Sequence, residues 1–387
     1  MGSKRPTKNW TNMDLIIKPT ELCNFKCSFC SSTQLTKEKK NWLKHEQIFE
    51  FLTRFPHTKT IIVNGGDPLM MEPEYYWKII RWLDERDYAT SISLTTNLWP
   101  FLKKPSLWVD LFNNEKIGVT TSFQYGGGRL KGDYSEFTED DFWQCSDAML
   151  KYCDYRPDFI SVITRENEHN AIKNVELAKF MSEDKEPQGT LHNLARDEKT
   201  GVECKLNYAM MSGEQKEPFL LSDIYEIYTK VWLRGLAPWE FNTKQMMMSI
   251  NDCSTTCPLS RKCDEGIRCL QPDGDYYSCG AFGDDRDKEI DFKREMKGEF
   301  FTPLQDDLSL NSMKQGCFTC PMFNICNGCR KTIKDYQHAG TIEKHCEKMK
   351  RIGPDILKAN GSTLQMTPYI SEAIWVEEVI LWEVIPI

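Results

Sequence analysis

Apolar residues in the first half of the chain follow two alternating rhythms. Short stretches rich in Ile, Val and Thr, bounded by Gly, Pro or Asn, predict strands: MDLIIKP (13–19), TIIVNGG (60–66), TSISLTTN (90–97), KIGVTTSF (116–123), DFISVIT (158–164) and KLNYAM (205–210). Between them, apolar residues three and four apart predict helices over 45–55, 73–86, 138–153 and 170–182. Repeated strand–helix units imply a parallel sheet. The predicted fold class is α/β: a partial (βα)6, TIM-like barrel, open on one side, with its chemistry at the C-terminal ends of the strands.

Beyond residue 253 the texture changes. The chain becomes cysteine-dense, turn-rich and weakly periodic, as expected of a small domain stabilised by metal. The expected organisation is a flexible N-terminus (1–12), the barrel (13–214), a bridging segment with one or two helices (215–252), the cysteine-rich domain (253–350) and a tail (351–387). That tail ends SEAIWVEEVILWEVIPI, apolar with interspersed Glu, and reads as an element packing on the body or as a partner surface.

Of 16 cysteines, three lie within eight residues near the N-terminus and ten lie between Cys253 and Cys346, both included. Only Cys145, Cys153 and Cys204 fall between the groups, and they read as small buried residues. A disulfide framework has no need of such clustering, whereas metal centres do. No secretory signal and no apolar run of about 18 residues is present, so the expected setting is a reducing cytoplasm without a membrane span. The net charge of −8 argues against a nucleic-acid partner.

Cys23, Cys27 and Cys30 form a CxxxCxxC triplet directly after the first strand. Three thiolates on one loop can hold three irons of a 4Fe–4S cluster and leave the fourth iron open. A structural zinc site would want four ligands, and no His is near. A closed ferredoxin-like cluster would recruit a distant fourth Cys.

The triplet, with the aromatic Phe29 before its last cysteine, resembles the radical S-adenosylmethionine superfamily. The resemblance implies that the open iron chelates S-adenosylmethionine and that an electron splits its sulfonium into methionine and a 5′-deoxyadenosyl radical, the cofactor carrying the hard chemistry. Gly65-Gly66-Asp67-Pro68, ending the second strand, resembles the family's GGEP motif at the methionyl amine; alone it could be a turn. Asp in place of Glu keeps the acceptor and shortens its reach. Thr95-Thr96-Asn97 resembles the TNG-type strand end, with Leu98 where Gly is common. By the same resemblance Ser122, Arg129 and Asn167 are cofactor-binding candidates, Arg129 for the carboxylate, which it can grip bidentately. The usual LDG after the serine reads Phe123-Gln124-Tyr125-Gly126 here. For Asn167 the plainer reading is a solvated loop residue.

A second constellation runs Cys257-x5-Cys263, Gly274-x4-Cys279, Cys317-x2-Cys320-x5-Cys326-x2-Cys329 and Cys346. Eight thiolates suit two fully ligated 4Fe–4S clusters; zinc-ribbon structure is the alternative. The stretch resembles the SPASM extension of the same superfamily. That implies an inner auxiliary cluster on Cys257, Cys263, Cys279 and Cys329, and an outer one on Cys317, Cys320, Cys326 and Cys346. Cys253 and Cys269 are left over; Cys269 could replace Cys263. QPDGDYYSC (271–279) predicts a hairpin with Asp273-Gly274 at its tip. The clusters could relay electrons or serve structure alone.

SPASM enzymes mostly modify peptides, so a peptide is the expected substrate and a small metabolite the alternative. Gly280 stands where sulfatase-maturing enzymes carry an Asp, which disfavours that reaction. The expected partners are an electron donor such as flavodoxin or ferredoxin and, since only about a dozen residues precede the first strand, a separate leader-peptide-binding protein. No catalytic base stands out: Tyr125, Arg165, Asp284 and Asp285 could face the site but read better as surface residues. Gly126-Gly127-Gly128 could admit a substrate close to the backbone or equally form a flexible loop, and lacks any phosphate-binding pattern.

Overall fold

The computed structural model describes residues 13–30, 42–183, 201–208, 219–250, 266–288, 316–317, 320, 322, 326 and 329–359. All six strand candidates form: β1 (Met13–Ile17), β2 (Thr58–Val63), β3 (Ser91–Thr95), β4 (Ile117–Ser122), β5 (Asp158–Ile163) and β6 (Cys204–Tyr208). They are parallel, each pairing with the next. Two further strands, β7 (Ile267–Leu270) and β8 (Tyr276–Tyr277), extend the sheet to the order β6-β5-β4-β3-β2-β1-β7-β8. It curls into the expected half-barrel.

The helices are α1 (His45–Arg54), α2 (Pro73–Asp84), α3 (Trp99–Lys103), α4 (Val109–Phe112), α5 (Glu139–Cys153), α6 (Ala171–Glu183), α7 (Leu221–Leu233), α8 (Phe241–Ile250), α9 (Gly280–Asp284), α10 (Arg330–His338) and α11 (Ile342–Ala359). None of the described helices is long and apolar enough to cross a membrane. Thr138 caps α5 by accepting from the Asp141 N–H at 3.2 Å, while Asp141 reaches back to the Thr138 N–H at 2.9 Å.

The period-two pattern explains both faces of the sheet. Leu15, Ile17, Ile61, Val63, Ile92, Leu94, Phe159 and Ile163 are fully buried and share one core with Ile48, Phe51 and Leu52 of α1 and Tyr76, Ile79 and Leu83 of α2. Their neighbours Ile16, Ser93, Thr95, Thr120, Ser122, Ile160 and Val162 are only half-buried. The second set lines the other, less crowded face, and it is rich in hydroxyls. Cys145, Cys153 and Cys204 are buried, as expected.

The described hairpin of the cysteine-rich segment joins the barrel sheet. It forms with Gly274 at φ +83°, and β7 adds in parallel to β1. The Lys18 N–H donates to the Leu270 carbonyl at 3.0 Å. Cys269, Tyr277 and Phe282 bury against Ile16. The reason is an unpaired edge: in a six-strand sheet β1 would expose a row of backbone donors and acceptors, and β7 fills them.

At the opposite edge, side chains take that part. Buried Glu240 accepts from the Leu206 N–H at 2.9 Å, and Tyr228 and Asn242 donate to the Leu206 carbonyl at 2.7 Å each. The bridging segment thus holds two helices, α7 and α8, and closes the β6 edge. Cys253, Cys257, Cys263, residues 1–12 and the tail beyond 359 lie outside the described residues.

Candidate functional site

The triplet occupies the loop that leaves β1 at the C-terminal end of the sheet. Other elements hold it on both sides. From the end of β2, the Gly66 and Asp67 N–H groups donate to the Thr20 and Leu22 carbonyls at 2.9 and 2.8 Å. From beyond β4, the Leu130 and Gly128 carbonyls accept from Lys26 and Ser28 at 2.8 and 2.9 Å. Two glycine features make this approach possible. A Cβ on Gly66 would fall 1.9 Å from the Leu22 carbonyl oxygen, and Gly126, Gly127 and Gly128 all take left-handed conformations, φ +68°, +81° and +72°. The glycine run therefore serves to turn this loop onto the triplet.

Burial pushes the Cys23 thiol well up, with the Asp67 charge adding to it, and pushes the Cys27 thiol up against the pull of Arg129. Buried thiols of this kind ionise only beside positive charge, which a metal supplies. The Phe25 N–H already donates to Cys23 Sγ at 3.3 Å. No three described His, Cys, Asp or Glu side chains converge on a single ion. A multi-iron cluster engages each thiolate through a different iron, so wider spacing suits it.

Arg129 is 7% exposed. Its Nε and Nη2 donate to Gln124 Oε1 at 3.0 and 2.7 Å, its Nη1 donates to Ser122 Oγ at 2.9 Å, and its guanidinium lies 5.3 Å from the Phe29 ring centre. No carboxylate pairs with it among the described residues. Burial disfavours its charge, and the groups opposing that effect are Cys27, Cys30 and Cys23. A buried guanidinium with neutral hydrogen-bond partners and spare N–H groups suits an anion. Arg129, Ser122, Phe29 and the triplet are thus brought together. Gln124, at the position where the motif departs from LDG, is the residue that fixes the guanidinium.

The other candidates are organisers by geometry. Asp67 accepts from the Leu69 N–H at 2.8 Å, from Thr96 Oγ1 at 2.9 and 3.0 Å, and from the Asn97 N–H at 2.8 Å. Its carboxylate ties the end of β2 to the end of β3. Burial pushes its pKa up in spite of these bonds. Asn97 exchanges amide hydrogen bonds with Asn24 of the triplet loop at 2.8 and 3.3 Å, and accepts from the Trp99 N–H at 2.9 Å. Asn167 is fully buried, not a solvated loop residue: its amide accepts from the Thr164 N–H at 2.7 Å and donates to the Val162 carbonyl at 2.9 Å. Leu98 takes the left-handed conformation at φ +60°, which explains why glycine suits that position.

Lys18 was not singled out by the sequence, although it continues the Asp14–Ile16–Lys18 alternation onto the less crowded face. It is 5% exposed, pairs with Asp284 of α9, and has Cys269, Glu21, Arg286 and Cys30 as charged neighbours. Arg286 reaches Glu21 at 3.0 Å, so two ion pairs fasten the region after Cys279 to the triplet loop. Tyr125 donates to Glu139, Arg165 pairs with Asp223 and Glu168, and Asp285 pairs with Lys331, which leaves these three in structural ion and hydrogen-bond pairs.

In the C-terminal constellation, Cys317, Cys320 and Cys346 are electrostatic neighbours, and burial pushes the Cys317 thiol up to about 12. Cys326 and Cys329 lie beside buried Tyr225 and Tyr336. Cys279 precedes α9 and packs with Cys269 around Tyr277 and Phe282. Cys257 and Cys263, expected to complete the inner set, lie outside the described residues.

The half-barrel fold expected from the sequence is shared with solved structures. The chain is similar to native anSMEcpe solved with AdoMet and the Cp18Cys peptide: TM-score 0.60, 15% identity, covering 90% of this chain and 99% of that one. With AdoMet and the Kp18Cys peptide the TM-score is 0.62 at 14% identity, with the same coverage of both chains. A segment of 92 residues, 22% of the chain, is 33% identical to GTP 3′,8-cyclase of Staphylococcus epidermidis. The chain spans about a quarter, 26%, of the length of that curated relative. No family model matches the chain.

Proposed function

We propose that this protein is a radical S-adenosylmethionine enzyme with auxiliary iron–sulfur clusters, acting on a peptide. Buried Arg129 carries the reading: a cation without a carboxylate partner among the described residues, set against three thiols at the mouth of the barrel. Cys23, Cys27 and Cys30 would hold the first cluster. Arg129, steadied by Gln124 and Ser122, would take the carboxylate of S-adenosylmethionine. The backbone of Gly65, Gly66 and Pro68 would face its amine, with Phe29 beside the cluster. Asp67, Asn97 and Asn167 would keep the loops in register. When bound, the cluster and S-adenosylmethionine supply one-electron cleavage of the sulfonium and a carbon radical that removes hydrogen from substrate.

The half-buried face lined by Ser93, Thr95, Thr120 and Ser122 would receive the substrate and keep bulk water from it. Cys257, Cys263, Cys279 and Cys329 would hold an inner auxiliary cluster, and Cys317, Cys320, Cys326 and Cys346 an outer one, in a segment spanning roughly 253–350. An external donor such as flavodoxin or ferredoxin would supply electrons. The peptide reading is supported by the fold shared with anSMEcpe, which was solved with peptides. Gly280 offers no carboxylate at the start of α9, which tells against sulfatase maturation. The segment similar to GTP 3′,8-cyclase favours a second reading, the same chemistry on a small metabolite.

The test is S-adenosylmethionine binding by the anaerobically reconstituted chain, which should carry about twelve irons if three 4Fe–4S clusters form. Wild type should bind it and release 5′-deoxyadenosine on reduction. Arg129→Met, which replaces an unpaired buried charge by an apolar side chain, should keep its iron and its thermal stability while binding about 100-fold more weakly, the loss of a charge-assisted carboxylate contact. Zinc in place of iron, or undiminished binding by Arg129→Met, would sink the proposal.

A further inference from the structure

His345 stands on the first turn of α11 and is 2% exposed. Its Nε2 lies 3.4 Å from Cys326 Sγ, and its ring packs edge-on against Tyr336 at 5.2 Å between centres. Its Nδ1 is buried without a hydrogen-bond partner among the described residues. An orphaned buried nitrogen costs about 1–3 kcal/mol, so an imidazole held this way calls for a compensating contact. The sulfur of Cys326 provides one. Successive residues of a helix diverge by about 100°. His345 therefore reaches Cys326, while the adjacent Cys346 neighbours Cys317 and Cys320. Cys326 itself lies with Cys329 beside Tyr225 and Tyr336.

We propose that His345 is a positioning residue of the outer auxiliary cluster, donating its Nε2–H to the sulfur of Cys326 and making that cluster easier to reduce. The inference rests on the reading of Cys326 as a cluster ligand. A thiolate sulfur carries only lone pairs, so the nitrogen facing it bears the hydrogen. Such a bond withdraws electron density from the sulfur and favours the reduced, more negative cluster; hydrogen bonds to the sulfurs are among the levers that set these potentials. His345 would then set the direction of electron flow between the auxiliary clusters.

The experiment is a redox titration followed by electron paramagnetic resonance on the anaerobically reconstituted full chain, compared with His345→Leu and His345→Gln. His345→Leu should shift the midpoint of one auxiliary cluster to more negative potential, with the iron content and the first cluster unchanged. His345→Gln, which keeps an N–H donor, should shift it less, and it can be read alone if the leucine variant does not fold. Unmoved midpoints in an iron-replete variant would overturn the inference. So would nitrogen hyperfine coupling in the wild type with iron lost from the variants, which would make His345 a ligand. Wild type holding only the first cluster would instead overturn the underlying reading of Cys326.

Discussion

Lys26 and Ser28 of the triplet loop donate their backbone N–H groups to Leu130 and Gly128 of a different element, whereas Cys320 and Cys326 donate theirs to Cys317 and Met322 of their own segment. The first loop is also fastened from the β2 end by Gly66 and Asp67. Long-range ties near the second set sit on the flanking helices: Tyr336 accepts from the Leu221 N–H at 2.6 Å, Tyr208 meets Thr332 at 2.9 Å, and Lys348 reaches Asp223 at 2.5 Å. The contrast teaches that one set of thiols is pre-organised by the fold. In the other, the described thiols Cys320 and Cys326 pack against the main core beside buried Met322, and their backbone N–H groups bond within their own segment.

The largest effect expected from this difference is that of removing the metal. Anaerobic chelation should release hydrogen-exchange protection over 317–329 while 13–30 stay protected, because metal-binding free energy is folding free energy only where the fold does not already hold the ligands. Equal deprotection of both segments, read by mass spectrometry, would erase the comparison. The next effect comes from glycine. Gly66→Ala drives a Cβ into the Leu22 carbonyl and should cost about 3 kcal/mol, whereas Gly340→Ala, at φ +65° with nothing within 4 Å, should cost about 1 kcal/mol from backbone strain alone. Denaturant unfolding of the two apo proteins measures both.

The smallest effect is on pH. Burial pushes Glu226 up, but hydrogen bonds from Lys348 and Lys230 outweigh it and hold its pKa at about 2. A carboxylate with a depressed folded value stabilises above its ordinary pKa, and that contribution disappears as the pH falls. Between about pH 4.5 and 2 the α7–α11 contact should therefore lose less than about 1 kcal/mol, as suits a partly exposed pair. Lys348→Met should flatten that acid limb in thermal melts; an unchanged limb removes Glu226 from the account.

Much of the barrel was legible in the chain. MDLII, TIIV and DFISVI alternate a buried set with a half-buried one, and β-branched residues at that period suit little else. The triplet was legible because three thiols at fixed spacing on one loop restrict the chemistry by themselves. Other features were not. GGDP marks an acidic acceptor after β2, but nothing local says that Thr96 and Asn97 will take up its carboxylate. The Gly126–Gly128 run reads as freedom; packed against Ser28 it is a fixed turn. QPDGDYYSC announces a hairpin without announcing β1 as its neighbour.

Periodicity and spacing belong to a short stretch of chain, so the sequence by itself determined the strands, the helices between them and the grouping of the cysteines. Partnership is decided by what folding brings close. That Arg129 meets Gln124 and no carboxylate among the described residues, that β7 closes the edge of β1, and that His345 faces the sulfur of Cys326 were settled only by the tertiary structure. A buried polar group must find its partner wherever the packing puts one, however far along the chain that partner lies.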